Sequence, residues 1–547
     1  MKIGALSLGS RKGSSKKSDA LADLKEKVSD AEDAVEPLHT RWKDQQRYYD
    51  GPGQETEYKP ALAQYGLEKD LVITNFVQAT VEQFISVLLQ ATPSWYVVGP
   101  DREQDDAAKR LSQFLQAFYE DRNVALEQEI AYRHTGIMGD GWLKASYNRL
   151  IDDVDIRCID PLMVYPDPTA NRLQDAEYVG IKHIYGEALA KRLFKSLDMD
   201  EAETAGAVET RSGEQNEAGG ATRVVIWEVY HEFGEKLTIY SAGQELYKGE
   251  NPMPNNRFPL FHFPMQVDTD RLWGKAMVEQ LKPLQDLINK TRTRIAIHLH
   301  FCANPMMHVN RPAGEIEIAP GGMIKTLEGG SANWIQPPTL APEVFGMVEA
   351  AKGDMDIISG VREILRGARP KGTTSGISLE ILQQAAQTRI TAPLRNWTYT
   401  LANMGQCVLE LMQQHYSRNR WLPLARGQAP GIAEMKVEDL SQIEFTGEET
   451  EAGIADTQVM NREWRVVMQP QGDLPLSPAA DLEMAFRLRE MQDIDQIAML
   501  AAARFSGRDG VLERKKEQME AAAQGRQAAQ QQLEQQAAQM SPEGMQQ

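Results

Sequence analysis

The segment from Trp273 to Trp397 constrains the fold most, because its residue periodicity changes repeatedly along a short stretch. Residues 274–301 carry Val278, Leu281, Ile288, Ile295 and Leu299 at helical spacing, and a helix of that length reaches about 40 Å. Pro283 either kinks this helix or marks its true first turn. Short runs at 306–309, 315–318, 322–326 and 334–336, punctuated by Gly and Pro, then predict a compact β element. Helical spacing returns with Val344, Val348, Ala351, Met355 and Ile358. Residues 360–376 are rich in Gly, Arg and Thr and read as a loop. A long helix follows from Ser375 or Ile377, with Ile381, Ala385, Leu394, Trp397, Leu401, Met404, Val408 and Met412 as its apolar positions and Pro393 as an expected kink.

The rest of the chain is mixed. At 547 residues with 42% hydrophobic side chains, it has room for about three or four structural units, each with a core. Residues 1–18 read as a disordered Ser/Lys/Gly terminus, 19–49 as a charged helix and 59–71 as a loop. Asn75 offers a helix N-cap with Gln78 three residues on, ahead of Val77, Val81, Phe84, Ile85 and Leu88. Two further helices carry Ala107, Leu111, Phe114, Leu115 and Phe118, and then residues 126–135. Strands are predicted at 141–147 and 154–159 as one hairpin, and at 224–233 and 236–248 as another. A short helix is expected near 187–196, a loop over 201–222, and strands again within 443–471. Residues 476–505 read as a helix capped by Ser477, and the Gln/Ala-rich 510–540 as a long helix or a frayed tail. The fold class is therefore α+β, helix-rich and multidomain.

Charge and motif content narrow the function. The net charge of −19 repels other polyanions, so a contact with DNA must be local or must let the DNA slide past. Three scattered cysteines predict a reducing compartment without a disulfide framework. Neither a signal peptide nor a membrane span is legible. His298, His300, Cys302 and His308 form the densest metal-like group, but His298 and His300 lie two apart and face different ways, so no metal is expected. The run GARPKGTT at 367–374 places Lys371 before Gly372, the reverse of a phosphate-binding loop. Asp152, Asp153, Asp155 and Asp167 lack the Gly and Glu frame of a calcium loop. No catalytic motif stands anywhere, and neither catalytic residues nor cofactors are expected. One segment stands out: Arg362, Arg366, Arg369 and Lys371 lie between Val361 and Gly376 with only Glu363 opposing. Composition alone favours an ordinary solvated loop, and the functional reading is sequence-independent contact with a phosphate backbone.

The order of these pieces resembles the portal proteins of tailed bacteriophages, especially those of short-tailed phages. The residues that carry the resemblance are Asn75-Phe76-Val77-Gln78, Ala91-Thr92-Pro93-Ser94-Trp95-Tyr96-Val97, Gly139-Asp140-Gly141-Trp142-Leu143-Lys144, Ile159-Asp160-Pro161, Val164-Tyr165-Pro166-Asp167-Pro168 and Asp175-Ala176-Glu177-Tyr178-Val179. Further on come Trp273-Gly274, Leu281-Lys282-Pro283-Leu284-Gln285 with Asn289, Asn304-Pro305, and Thr374-Ser375-Gly376-Ile377-Ser378-Leu379. The resemblance covers about residues 72–412, and the order of the motifs is more specific than any one of them.

The resemblance implies a non-enzymatic subunit of a dodecameric ring at one capsid vertex. It implies a wing over 19–270, stem helices at 271–301 and 339–363, and a clip at 302–338. A tunnel loop would follow at 364–376, a kinked helix with a return to the wing at 377–475, and a crown with a helical tail at 476–547. The DNA-facing candidates are Arg362, Arg366, Arg369, Lys371, Thr373 and Thr374. The clip candidates for docking are Met306, His308, Arg311, Glu315, Glu317, Lys325 and Trp334. The implied partners are double-stranded DNA in passage, a terminase large subunit, a tail adaptor, and the major capsid and scaffolding proteins, without a membrane. The implied location is the virion, with assembly in the host cytoplasm. The rival readings are a capsid or tail-adaptor protein without a DNA channel, and an enzyme whose site has no recognisable motif.

Overall fold

A computed structural model of the protein describes residues 14–469, apart from 65, 91–93, 100–104, 206–222, 304–305, 313–325, 336–338, 361–375, 425–430, 446–456 and 462. The chain divides into two units, residues 1–423 with 432–470 and residues 424–431 with 471–547, and nearly all described residues belong to the first.

Helix α1 (Ser14–Asp50) buries Leu24, Val28, Ala31, Val35, Trp42 and Tyr49, a stripe with three- to seven-residue spacing on a chain otherwise dominated by charge. Helix α2 (Pro52–Ala63) follows at once, with Pro52 at a first-turn position that needs no N–H. The expected loop at 59–71 is thus helical as far as Ala63, and a 3-10 turn covers Glu68–Asp70. The segment shows no apolar stripe; buried Gln54 holds it instead, its amide donating to Tyr48 O and Asn75 Oδ1 at 3.0 Å each. Helix α3 (Phe76–Gln90) starts as predicted, Asn75 Oδ1 accepting from Gln78 N at 3.0 Å, and buries Val77, Val81, Phe84, Ile85 and Leu88.

Strand β1 (Ser94–Val98) leads to α4 (Asp105–Asp121) and α5 (Val124–Met138). The predicted hairpin is β2 (Asp140–Asn148) and β3 (Asp153–Ile159), in register from Trp142↔Ile159 to Asn148↔Asp153. Next come β4 (Val164–Pro166), β5 (Val179–Gly186), α6 (Glu187–Leu193), β6 (Thr204–Ala205) and β7 (Arg223–His231). The expected second arm at 236–248 is two strands, β8 (Lys236–Ser241) and β9 (Gln244–Glu250). Ala242, at φ +48, and Gly243 turn the chain between the paired Ser241 and Gln244, and a two-residue turn leaves little trace in an alternation pattern. These strands form one sheet in the order β4-β5-β7-β8-β9, with β6 on β7.

Strand β10 (Leu260–Pro264) adds to β2, completing a three-stranded sheet β10-β2-β3. Helix α7 (Met277–Ala303), the ribbon of β11 (Met306–Pro312) and β12 (Thr326–Ile335), and helix α8 (Glu343–Ser359) reproduce the predicted helix–β–helix order. Pro283 lies inside α7 and not in its first turn. The runs expected at 315–318 and 322–325 lie outside the described residues.

Helix α9 (Gly376–His415) contains Pro393 and buries Trp397, Leu401, Met404, Val408 and Met412. Its Trp397 stacks on Tyr132 at 4.2 Å and donates Nε1–H to Pro264 O at 2.9 Å. Beyond it lie β13 (Arg420–Leu424), β14 (Gly431–Met435), α10 (Val437–Leu440), β15 (Ser441–Phe445), β16 (Thr457–Asn461) and β17 (Arg465–Gln469). β17 returns to pair with β1, register Ser94↔Gln469. The architecture is helix-rich α+β, and among the described residues no helix is long and apolar enough to cross a membrane. The helices expected over 476–505 and 510–540 lie outside the described residues.

Candidate functional site

The candidate site is the arm made by α7, the β11–β12 ribbon and α8, together with its attachment to the body. The first half of α7 is anchored, with Met277, Val278, Leu281, Gln285, Ile288 and Asn289 all buried. Two of these are amides, and buried amides are stable only when bonded. Gln285 donates to Thr74 O at 2.7 Å and to Asn289 Oδ1 at 2.9 Å, and accepts from Phe76 N at 3.0 Å. Asn289 donates to Gln54 Oε1 at 2.9 Å, and Gln54 reaches Asn75 at 3.0 Å. Asn75 donates to Tyr49 O at 2.6 Å. Farther along α7, Thr293 Oγ1 accepts from Val72 N at 3.2 Å and Arg292 donates to Thr74 Oγ1 at 2.6 Å. One network therefore joins the 72–78 strip, the start of α2 and two turns of α7.

A second seam lies beside it. Gly139 and Gly274 are in backbone contact: a Cβ on Gly274 would sit 2.6 Å from Gly139 O, and one on Gly139, at φ +97, would sit 2.8 Å from Gly274 O. Asp140, fully buried, accepts from Gly274 N at 2.8 Å and pairs with His262 Nε2 at 2.7 Å. His262 stacks on Trp142 at 4.2 Å, and Trp273 meets Trp142 and Trp42 edge-on. His39 packs on Trp42, and burial pushes its imidazole down to about 4, so it is neutral at neutral pH. Motifs distant in sequence, Asn75–Gln78 with Gln285 and Asn289, and Gly139–Trp142 with Trp273-Gly274, thus meet in pairs at the root of the arm.

The outer part of the arm is exposed. Leu299 and Phe301 on α7, Leu327 and Ile335 on β12, and Phe345, Met347 and Ile357 on α8 all face solvent in the single chain. Facing into the body, α8 buries Val348, Ala351 and Met355, while Val344 and Ile358 are half-buried. The two strands pair from Met306↔Ile335 to Asn310↔Ser331, with an irregularity before Pro312, where Arg311 adopts φ +53.

The predicted site residues divide as follows. Met306 pairs with Ile335 and Trp334 with Met307 in the ribbon register, and His308 and Arg311 are exposed there. Glu315, Glu317 and Lys325 lie outside the described residues, as do Arg362, Arg366, Arg369, Lys371, Thr373 and Thr374. The acidic residues weighed for calcium are engaged by the protein itself: Asp152 by Arg418 and Arg420, Asp153 by Arg122 and Tyr416, Asp155 by Arg157, and Asp167 by Thr169 and Glu177 N. Gln54, Thr74, Arg292, Asp140 and His262 were not legible as a group. Gln285 and Asn289 carried a signal, two amides four residues apart inside an apolar helical stripe.

Comparison with known proteins completes the assignment. A solved structure of the virion of a native gene transfer agent particle aligns with 81% of this chain and 93% of its own, at 13% identity and a TM-score of 0.38. Among curated protein sequences none matches. The family model for phage P22-like portal proteins matches residues 25–244 and 235–547, nearly the whole length. The chain belongs to the phage P22-like portal protein family.

Proposed function

We propose that this protein forms the ring at one vertex of the phage capsid through which double-stranded DNA is packaged and ejected. Its family is structural and belongs to the virion, and this reading assigns parts to the chain. The wing covers 19–270, and the arm supplies the stem helices (271–301 and 339–363) and the clip (302–338). The tunnel loop is 364–376, the kinked helix with its return to the wing is 377–475, and the crown lies in 476–547. The ring is dodecameric and binds a terminase large subunit during filling and a tail adaptor afterwards, with capsid and scaffolding proteins around it. The subunits gather in the host cytoplasm before they reach the virion.

The observation that best supports this reading is the arm. α7 and α8 each leave apolar residues uncovered, and the two sets differ: Leu299 and Phe301 on one helix, Phe345, Met347 and Ile357 on the other. The balance of charge differs in sign as well: α7 carries Lys282, Lys290, Arg292 and Arg294 against Glu279 and Asp286, and α8 carries Glu343, Glu349, Asp354 and Asp356 against Lys352. Contact between unlike patches on successive copies is heterologous, and heterologous contacts that close generate rings. Native mass spectrometry and negative-stain images of the purified protein test this. Closed particles with a central hole are expected; a chain that stays monomeric under all assembly conditions refutes the reading. Replacing Arg362, Arg366, Arg369 and Lys371 by Ala tests the tunnel loop: DNA packaging or retention should change while rings still form.

A further inference from the structure

Five donors of the kind that bind soft or borderline metals, His298, His300, Cys302, Met307 and His308, lie along the end of α7 and the start of β11. The structure sorts them. His300 turns toward Asp70, Nδ1 to Oδ2 3.5 Å, and His308 lies exposed on the ribbon. His298 and Cys302, one turn apart on the same face of α7, bring Nε2 and Sγ to 3.3 Å. A tetrahedral zinc ion with Zn–S of about 2.3 Å and Zn–N of about 2.0–2.1 Å holds these two atoms about 3.6 Å apart. The pair therefore stands within a few tenths of an ångström of chelating separation. Cys302 is exposed, so a hydrated ion can reach it.

We propose that His298 and Cys302 form a chelating half-site for a borderline divalent cation of the zinc class. His300, two residues from His298, faces elsewhere, and the partner of His298 is Cys302, four residues away. Among the described residues no group of three His, Cys, Asp or Glu side chains could hold a metal. The remaining coordination positions are open to water and to donors beyond these two side chains. Binding releases the thiol proton to solvent, and the thiolate sulfur and the neutral imidazole nitrogen coordinate the ion without change of oxidation state. The ion would tie residue 298 to residue 302 across the last turn of α7, just ahead of β11, where the final carbonyls have no intrahelical partner. Its consequence is a stiffer root for the ribbon. The proposal does not depend on the ring reading.

Cobalt(II) titration of the full chain, kept reduced, tests it. A saturable thiolate-to-cobalt charge-transfer band is expected, displaced by Zn²⁺ and untouched by Mg²⁺. Cys302→Ser should abolish the band, and His298→Ala should weaken binding ~100-fold, as a chelate reduced to one donor does. Cys158→Ser should leave it intact, which excludes the half-buried thiol lying 3.7 Å from His134 Nδ1. Circular dichroism of each variant checks that the fold is retained. A titration without a charge-transfer band, or a band that survives Cys302→Ser, overturns the proposal.

Discussion

Gln285→Leu tests whether buried amides, and not apolar packing alone, hold the arm to the body. The substitution keeps approximate volume and removes a group that makes three hydrogen bonds at 2.7–3.0 Å in a fully buried position. Phe76 N loses its well-placed acceptor, and Thr74 O loses a donor at 2.7 Å. Each buried group left unsatisfied costs about 1–3 kcal/mol, and both retain a partial alternative in the 3.0 Å contact of Phe76 N with Thr74 O. A net cost of about 2–4 kcal/mol follows, or about a 30-fold to several-hundred-fold rise in local opening. Hydrogen exchange followed by mass spectrometry reads this locally: peptides spanning 72–78 should lose protection, while peptides from the β4–β9 sheet should not. Lys191→Ala, on the exposed face of α6, serves as the control and should leave exchange across 72–78 unchanged. If protection across 72–78 is unchanged in a folded Gln285→Leu protein, the network does not anchor the arm and the reasoning fails.

Three other outcomes are expected. Gly274→Ala places a methyl group 2.6 Å from Gly139 O, backbone that cannot swing aside, so thermal unfolding, followed by circular dichroism, should begin several degrees earlier. Glu82 is held below the ordinary carboxylate range, first by its hydrogen bonds from Arg133 and then by Tyr49, against the effect of burial. Its contribution is full above the unfolded glutamate value and is lost as pH falls through the depressed folded value, so Glu82→Gln should flatten the acid side of a stability-versus-pH curve. Phe345→Glu, at an exposed position of α8, should leave the melting of the isolated chain within about 0.5 kcal/mol of the parent yet reduce the yield of closed rings, scored by negative stain.

Much of the local structure was legible because local physics produces it. The Asn75 cap, the stripe of α3, the β2–β3 hairpin and the helix–β–helix order of the arm each rest on residues within a few turns of one another. The misreadings came where the decisive partner is distant or small. α2 shows no apolar stripe, and its anchor Gln54 is fixed by Asn75 and Asn289 from two other elements. β1 finds its partner β17 only after the whole arm has intervened, and β10 pairs back onto β2.

The class of the molecule is written in its residue order: α+β, acidic, with an arm of two helices around a β insertion and a motif order resembling phage portals. Periodicity and capping are short-range, so one chain suffices to read them. The reason those motifs stand where they do lies in long-range contacts. Gln285 and Asn289 are buried amides that need the 72–78 strip and Gln54 to be bonded, and Gly139 and Gly274 are bare because two backbones touch there. Tertiary packing also separates the anchored half of α7 from the exposed half, a distinction its apolar stripe does not carry, because burial depends on what packs against a face and not on the face alone.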